Sequence, residues 1–184
     1  MKFITSVLKT WLPFAAAITL VCGIIYGTVQ TSYRSGANDP QFQLAGDAAY
    51  ALSQGTDPKL LISAKQTEIS RSLSPYLIIY DDHGAAVAGD GVLDGKIPSM
   101  PSGVLDFTRA HDQDVITWQP REGVRSALVI QHVSSGYNGF VVAGRSLREV
   151  ERRESTLVEQ VGIGWIVSLI ALLLVIAAIG AIFK

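Results

Sequence analysis

At 184 residues, with a formal net charge of −1, 48% apolar residues and a single cysteine, the chain excludes several classes at once. Near-neutral charge leaves no electrostatic footprint for nucleic acid, and one Cys allows no disulfide framework within the chain. His83, His111 and His132 are scattered without ligand spacing, so neither a metal site nor another cofactor is expected.

Lys2 and Lys9 precede a first uncharged apolar run at 11–29 (WLPFAAAITLVCGIIYGTV). A basic start and Ala15-Ala16-Ala17 are signal-peptide features, but the Ala run comes before the apolar stretch is complete. Val21 is also too large to precede a lipidated Cys22, so a retained anchor is expected. Ala15, Thr19, Gly23 and Gly27 are spaced four apart and put small residues on one helix face, with Gly23 and Gly27 forming a GxxxG pair. A second apolar run, 161–183, holds 23 residues without a charge, about 34 Å of helix against a ~30 Å hydrocarbon core. Gly164, Ser168 and Ala171 give it a comparable small face. Such faces fit either the two spans packing on each other or a helix of a second copy or partner; spacing alone leaves both open.

The segment between the runs carries 12 Lys and Arg against 16 Asp and Glu, whereas both tips carry only Lys. The positive-inside rule then places both termini in the cytoplasm and the middle segment outside. The expected division is 1–10 a cytoplasmic N-terminus, 11–30 the first transmembrane helix, 31–158 an extracytoplasmic domain with its exit helix, and 159–183 the second transmembrane helix.

Within the middle segment, Asp39-Pro40 reads as an N-cap followed by Pro at the first helical position. Phe42, Ala45, Ala49 and Leu52 recur at helical spacing until Gly55. A helix unbroken from the membrane and kinked at Pro40 fits the same residues. The stretch 59–73 reads as a second, weaker helix, with Ile69 and Leu73 on one face. The period then changes. Residues 76–80 (YLIIY) are a continuous apolar strand closed by the Asp81-Asp82-His83-Gly84 turn, and 85–88 is its returning partner. A Pro- and Gly-rich loop at 93–103 leads to a short helix at 104–110. Strands at 114–119, 125–133 and 139–144 follow.

Helix, helix, strand, strand, short helix, three strands and a helix into the membrane give an α+β fold. The chain resembles the PAS-like single Cache (PDC) extracytoplasmic sensor domains that sit between two transmembrane helices in bacterial histidine kinases and chemoreceptors. SPYLIIYDDHGAAVAGDG resembles the first hairpin of such domains, and GFVVAGRSLREVE the last strand with its exit helix. The resemblance implies a five-stranded antiparallel sheet with N-terminal helices, flanked by two transmembrane helices. It also implies a bacterial plasma-membrane location with the domain in the periplasm or extracellular space. A kinase or chemoreceptor continues past its second span into a relay and an output domain. This sequence ends at Lys184, so the expected output lies in a separate membrane partner such as a kinase or transporter, or in a homodimer.

The exit stretch 145–160 (RSLREVERRESTLVEQ) carries Glu149 and Arg153 as a favourable i,i+4 pair. Leu147, Val150, Leu157, Val161 and Gly164 form a seam that Glu154 interrupts. It fits a solvated stalk or a relay of motion into the membrane. In sensors of this type, a pocket between the sheet and its covering loops meets acidic metabolites with Arg, Lys or His. By that resemblance the ligand-binding candidates are Trp118, Arg125 and His132, with Arg121 and Gln131 beside them. Alternation puts Arg125 and Gln131 on one face of a regular strand and His132 on the other. Trp118 also fits core packing, and Arg125 a solvated hairpin. Asp81, Asp82, Asp90 and Asp94 do not match an EF-hand loop, and no nucleophile sits in a recognisable elbow. The expectation is a non-enzymatic sensory module, or else a structural or accessory subunit of a membrane complex.

Overall fold

A computed structural model describes residues 2–36 and 38–182; Met1, Phe183 and Lys184, on which the tip assignments partly rest, lie outside the described residues. The chain divides into two compact units, one of Met1–Arg34 with Glu151–Lys184, the other of Ser35–Val150.

The first unit consists of parts of two 35-residue helices, α1 (Lys2–Gly36) and α4 (Arg148–Ile182). Both contain a stretch long and apolar enough to cross a bilayer, Ile4–Tyr33 and Arg148–Ile182. Their large side chains are exposed, Leu20 and Ile24 at 67% and Leu174 at 64%, which is compatible with a two-pass membrane protein. The helices run antiparallel. Trp11 Nε1–H donates to the Leu169 carbonyl at 3.1 Å, and Trp165 Nε1–H donates to Thr19 Oγ1 at 2.9 Å. The more covered apolar residues of α1 are Val7, Trp11, Ala15, Ile18, Cys22, Tyr26 and Val29. Their 4,4,3 spacing is an 11-residue repeat, close to the helix's own period.

In the second unit, α2 (Asp39–Ser53) begins after Asn38 with Pro40 in its first turn and Asp39 at its positive end. The helix is therefore not continuous with α1. A 3₁₀ turn (Pro58–Leu60) leads to β1 (Thr67–Glu68). Then come β2 (Tyr76–Asp81), β3 (Ala86–Gly89), β4 (Gly91–Val92), α3 (Ser102–His111), β5 (Gln113–Arg121), β6 (Val124–Val133) and β7 (Gly139–Ser146). Five strands form one antiparallel sheet in the order β3-β2-β7-β6-β5, and β1 pairs with β4 in parallel beside it.

Each of the five strand expectations meets a strand, with bounds moved by up to two residues. The expected helix at 59–73 does not form beyond the 3₁₀ turn. Serines there bond local backbone instead: Lys65 N–H goes to Ser63 Oγ at 3.2 Å and Ser74 N–H to Ser72 Oγ at 3.1 Å. Such bonds compete with a helical ladder. Ile69 is buried while Leu73 is 41% exposed, so they do not share a buried face. The parallel β1–β4 pair has no counterpart in the sequence reading.

Period-two alternation sorts the sheet into two faces. Leu77, Ile79, Val129, Val133, Val141 and Ala143 pack against Ala45, Ala48, Ala49 and Leu52 of α2, whose small side chains permit close approach. On the other face Tyr76, Ile78, Tyr80, Leu128, Ile130, Phe140 and Val142 are covered by Met100 of the long loop and Leu105 of α3.

Candidate functional site

The three ligand-binding candidates do not converge. Trp118 is buried in the core cluster on the α3 side and pairs with Ser126 across β5–β6. His132 lies on the same face of β6, its ring centroid 5.1 Å from that of Phe140. Six residues separate Ser126 from His132, about 20 Å of strand. Pairing of β6 with β7 is regular from Ser126 to Val133. Arg125 therefore falls on the opposite face, shared with Gln131, and is exposed. Arg121 is held by Asp94 at 2.6 Å.

The α3-side core encloses two hydroxyls with little to bond. Tyr76 and Ser126 are at most 1% exposed, and neither hydroxyl reaches hydrogen-bond geometry with any group. Burial pushes the Tyr76 phenol up to about 12, tempered by the Ser126 hydroxyl nearby. The Tyr76 ring lies over Gly144, its partner on β7, and against Gly91. Tyr80 is also driven up by burial, and its hydroxyl donates to the Pro98 carbonyl at 2.6 Å, pinning the long loop. On the α2 side, Gln41 is fully buried with no hydrogen bond to either amide atom.

Asp90, which the sequence presents as a turn between two glycines, is a buried tie. Its carboxylate accepts the Leu77 N–H at 2.7 Å and the Ser63 N–H at 3.3 Å. Desolvation outweighs those bonds and raises its pKa above the ordinary 3.8. Arg109 of α3 bridges Asp106 at 2.7 Å and Asp82 of the β2–β3 turn at 3.3 Å, and stacks 5.1 Å from the Phe140 ring centroid. Among the described residues no group of three His, Cys, Asp or Glu is placed to hold a metal ion.

In the helical unit, the small-residue positions divide. Ala15 is buried, and Thr19 Oγ1 accepts from Trp165 while donating to the Ala15 carbonyl at 2.8 Å. Gly23, Gly27, Gly164 and Ser168 are exposed, and a Cβ added at any of the three glycines would meet nothing within 4 Å. Ser168 Oγ–H is spent on the Gly164 carbonyl of its own helix at 2.7 Å. Cys22, Gly23 and Tyr26 face Val158, Gly162 and Trp165 across an apolar groove of ≈ 440 Å³.

No known family model matches the chain, and no curated protein matches it.

Proposed function

We propose that this chain is a membrane-anchored, extracytoplasmic sensory or regulatory module of the PAS-like, single Cache type, without catalytic activity of its own. In this reading it sits in a bacterial plasma membrane with both termini cytoplasmic. It detects a small molecule or a protein and signals through its spans to a separate membrane partner. The observation that carries the proposal is the junction of β7 and α4. β7 lies between β2 and β6 in the sheet, and Leu147 alone separates its last residue from a helix unbroken to Ile182. A change in the sheet thus has an uninterrupted covalent and hydrogen-bonded route into an apolar helix. The five-stranded antiparallel sheet is the sheet that the resemblance to such domains implies, and supports the reading. Gly27, left open by the pairing of α1 with α4, supplies a face for a partner's helix.

A second reading, an accessory subunit that only makes protein contacts, draws support from the filled faces of the sheet and the exposed Tyr50 and Phe42 of α2. The experiment is affinity purification of the full-length protein from its native membrane in mild detergent, followed by mass spectrometry. A kinase, transporter or cyclase should be recovered with it. Gly27→Leu should lose that partner while the chain still inserts, because a side chain there meets nothing in the chain itself. Recovery of the protein alone would refute a separate partner.

A further inference from the structure

Four hydrogen bonds tie down the start of α4, and two of them come from arginine side chains. Leu147 N–H donates to the Arg125 carbonyl of β6 at 2.9 Å, and Arg148 N–H to Ser146 Oγ at 3.3 Å. The Arg145 guanidinium donates through Nε to the Leu73 carbonyl at 3.2 Å, and the Arg148 guanidinium donates to the Ser70 carbonyl. The penultimate residue of β7 and the first of α4 therefore close on one irregular segment, the one that leads from β1 into β2.

That segment is held from its other side as well. The Glu68 carboxylate accepts the Ser70 hydroxyl at 2.7 Å and the Ser70 N–H at 3.3 Å, and the Ser70 hydroxyl is the main reason its pKa is lowered. Arg71 and Ser72 N–H donate to the Glu68 carbonyl at 3.0 and 2.8 Å. Ile69 N–H donates to the Val92 carbonyl at 2.9 Å and its side chain enters the core. The segment thus moves with the β1–β4 pair and the core beneath it. Arg148 is exposed and Arg145 half-buried, so water could serve these two carbonyls as well as a guanidinium does. Satisfying buried groups does not require the arginines; what they add is position. A guanidinium, with its fixed fork of donors on a long stem, suits that role.

We propose that Arg145 and Arg148 form a latch that fastens the start of α4 to the Ser70 and Leu73 carbonyls, so that displacement of the β1–β2 segment frees the exit helix. The latch gives the sensory reading its regulatory contact, and rests on that reading for its purpose but not for its existence. The test is hydrogen–deuterium exchange on the full-length protein in lipid nanodiscs, comparing wild type with the Arg145→Gln/Arg148→Gln double variant. Amides at 69–74 and at 148–154 should exchange faster together, by about tenfold, with β6 and β7 unchanged as the check on folding. Unchanged exchange at both segments, or faster exchange at 69–74 alone, overturns the latch. Paired acceleration with no change in the co-purified partner's activity upholds the latch and overturns the signalling role of α4.

Discussion

At Gly144 the core has no room for a side chain. A Cβ there would lie 2.3 Å from Tyr76 Cζ, 2.5 Å from its hydroxyl and 2.6 Å from Leu128 Cδ2, where ordinary contact begins near 3.4 Å. Tyr76 has no retreat, since its Cδ2 lies 2.4 Å from where a Cβ on Gly91 would stand. Gly144→Ala therefore forces either β7 or the Tyr76 ring out of place. Overpacking of this kind costs about 1–3 kcal/mol, and ejecting a buried aromatic costs about 3–5. We expect about 3 kcal/mol, which for a domain of roughly a hundred residues lowers the thermal midpoint by about 12 °C. Near-UV circular dichroism of the full-length protein in nanodiscs, during urea and thermal unfolding, reads the domain's tertiary packing. Tyr76→Leu should relieve part of the clash, so the double variant should cost at least ~1 kcal/mol less than the two single variants summed. A loss below about 1 kcal/mol for Gly144→Ala, or strict additivity of the pair, would refute this packing of Tyr76 on Gly144.

Gln41→Met removes a buried amide that bonds nothing while keeping an unbranched chain of similar length. It should stabilise the domain by about 1 kcal/mol, read as a higher urea midpoint at unchanged slope; a lower midpoint would mean the amide has work to do. Asp90 carries a pH signature. Because burial raises its folded pKa above the ordinary 3.8, the native state holds its proton more tightly than the unfolded chain does. Ionisation therefore costs stability as pH rises from 3.8 through the folded value, at about 1.4 kcal/mol for each tenfold difference in proton affinity. Asp90→Asn should gain on wild type across that window and run parallel to it above. A constant difference between the two at all pH values would contradict the assignment.

Strands were legible because their signals are local. The YLIIY run carries its own period, and the DDHG turn that closes it is held by Asp81, whose Oδ1 accepts the His83 and Ala85 N–H groups at 3.0 and 2.8 Å. The 59–73 segment misled for the opposite reason. Its hydrophobic spacing is helical, but Asp90, 27 residues away, takes the Ser63 N–H, and β4 takes Thr67 and Ile69 into a parallel pair. No window on the sequence contains those partners. The latch arginines were hidden likewise: 145–160 reads as a charged helix with its own i,i+4 pair, Glu149 and Arg153, whereas Arg145 and Arg148 reach back more than seventy residues.

The two membrane-length helices pose a different difficulty, because α1 carries two packing patterns at once. One is the four-residue stripe of Ala15, Thr19, Gly23 and Gly27, and the other the 4,4,3 stripe that includes Trp11, Ala15, Ile18, Cys22 and Tyr26. They share Ala15 and diverge by about 90° over each 11-residue repeat, the difference between a 4-residue and a 3.67-residue period at 100° per residue. Sequence spacing alone ranks the glycine stripe first, since close backbone approach dominates in lipid. Within the chain it is the bulkier stripe that is the more covered, and Trp11 on it donates to the Leu169 carbonyl of α4, while Trp165 of α4 donates to Thr19 of the four-residue stripe. In hydrocarbon an unpaired indole N–H is costly, and this pairing of α1 with α4 leaves both indoles with an acceptor. The glycine stripe parts from that seam beyond Thr19, and its two glycines meet no side chain of α4.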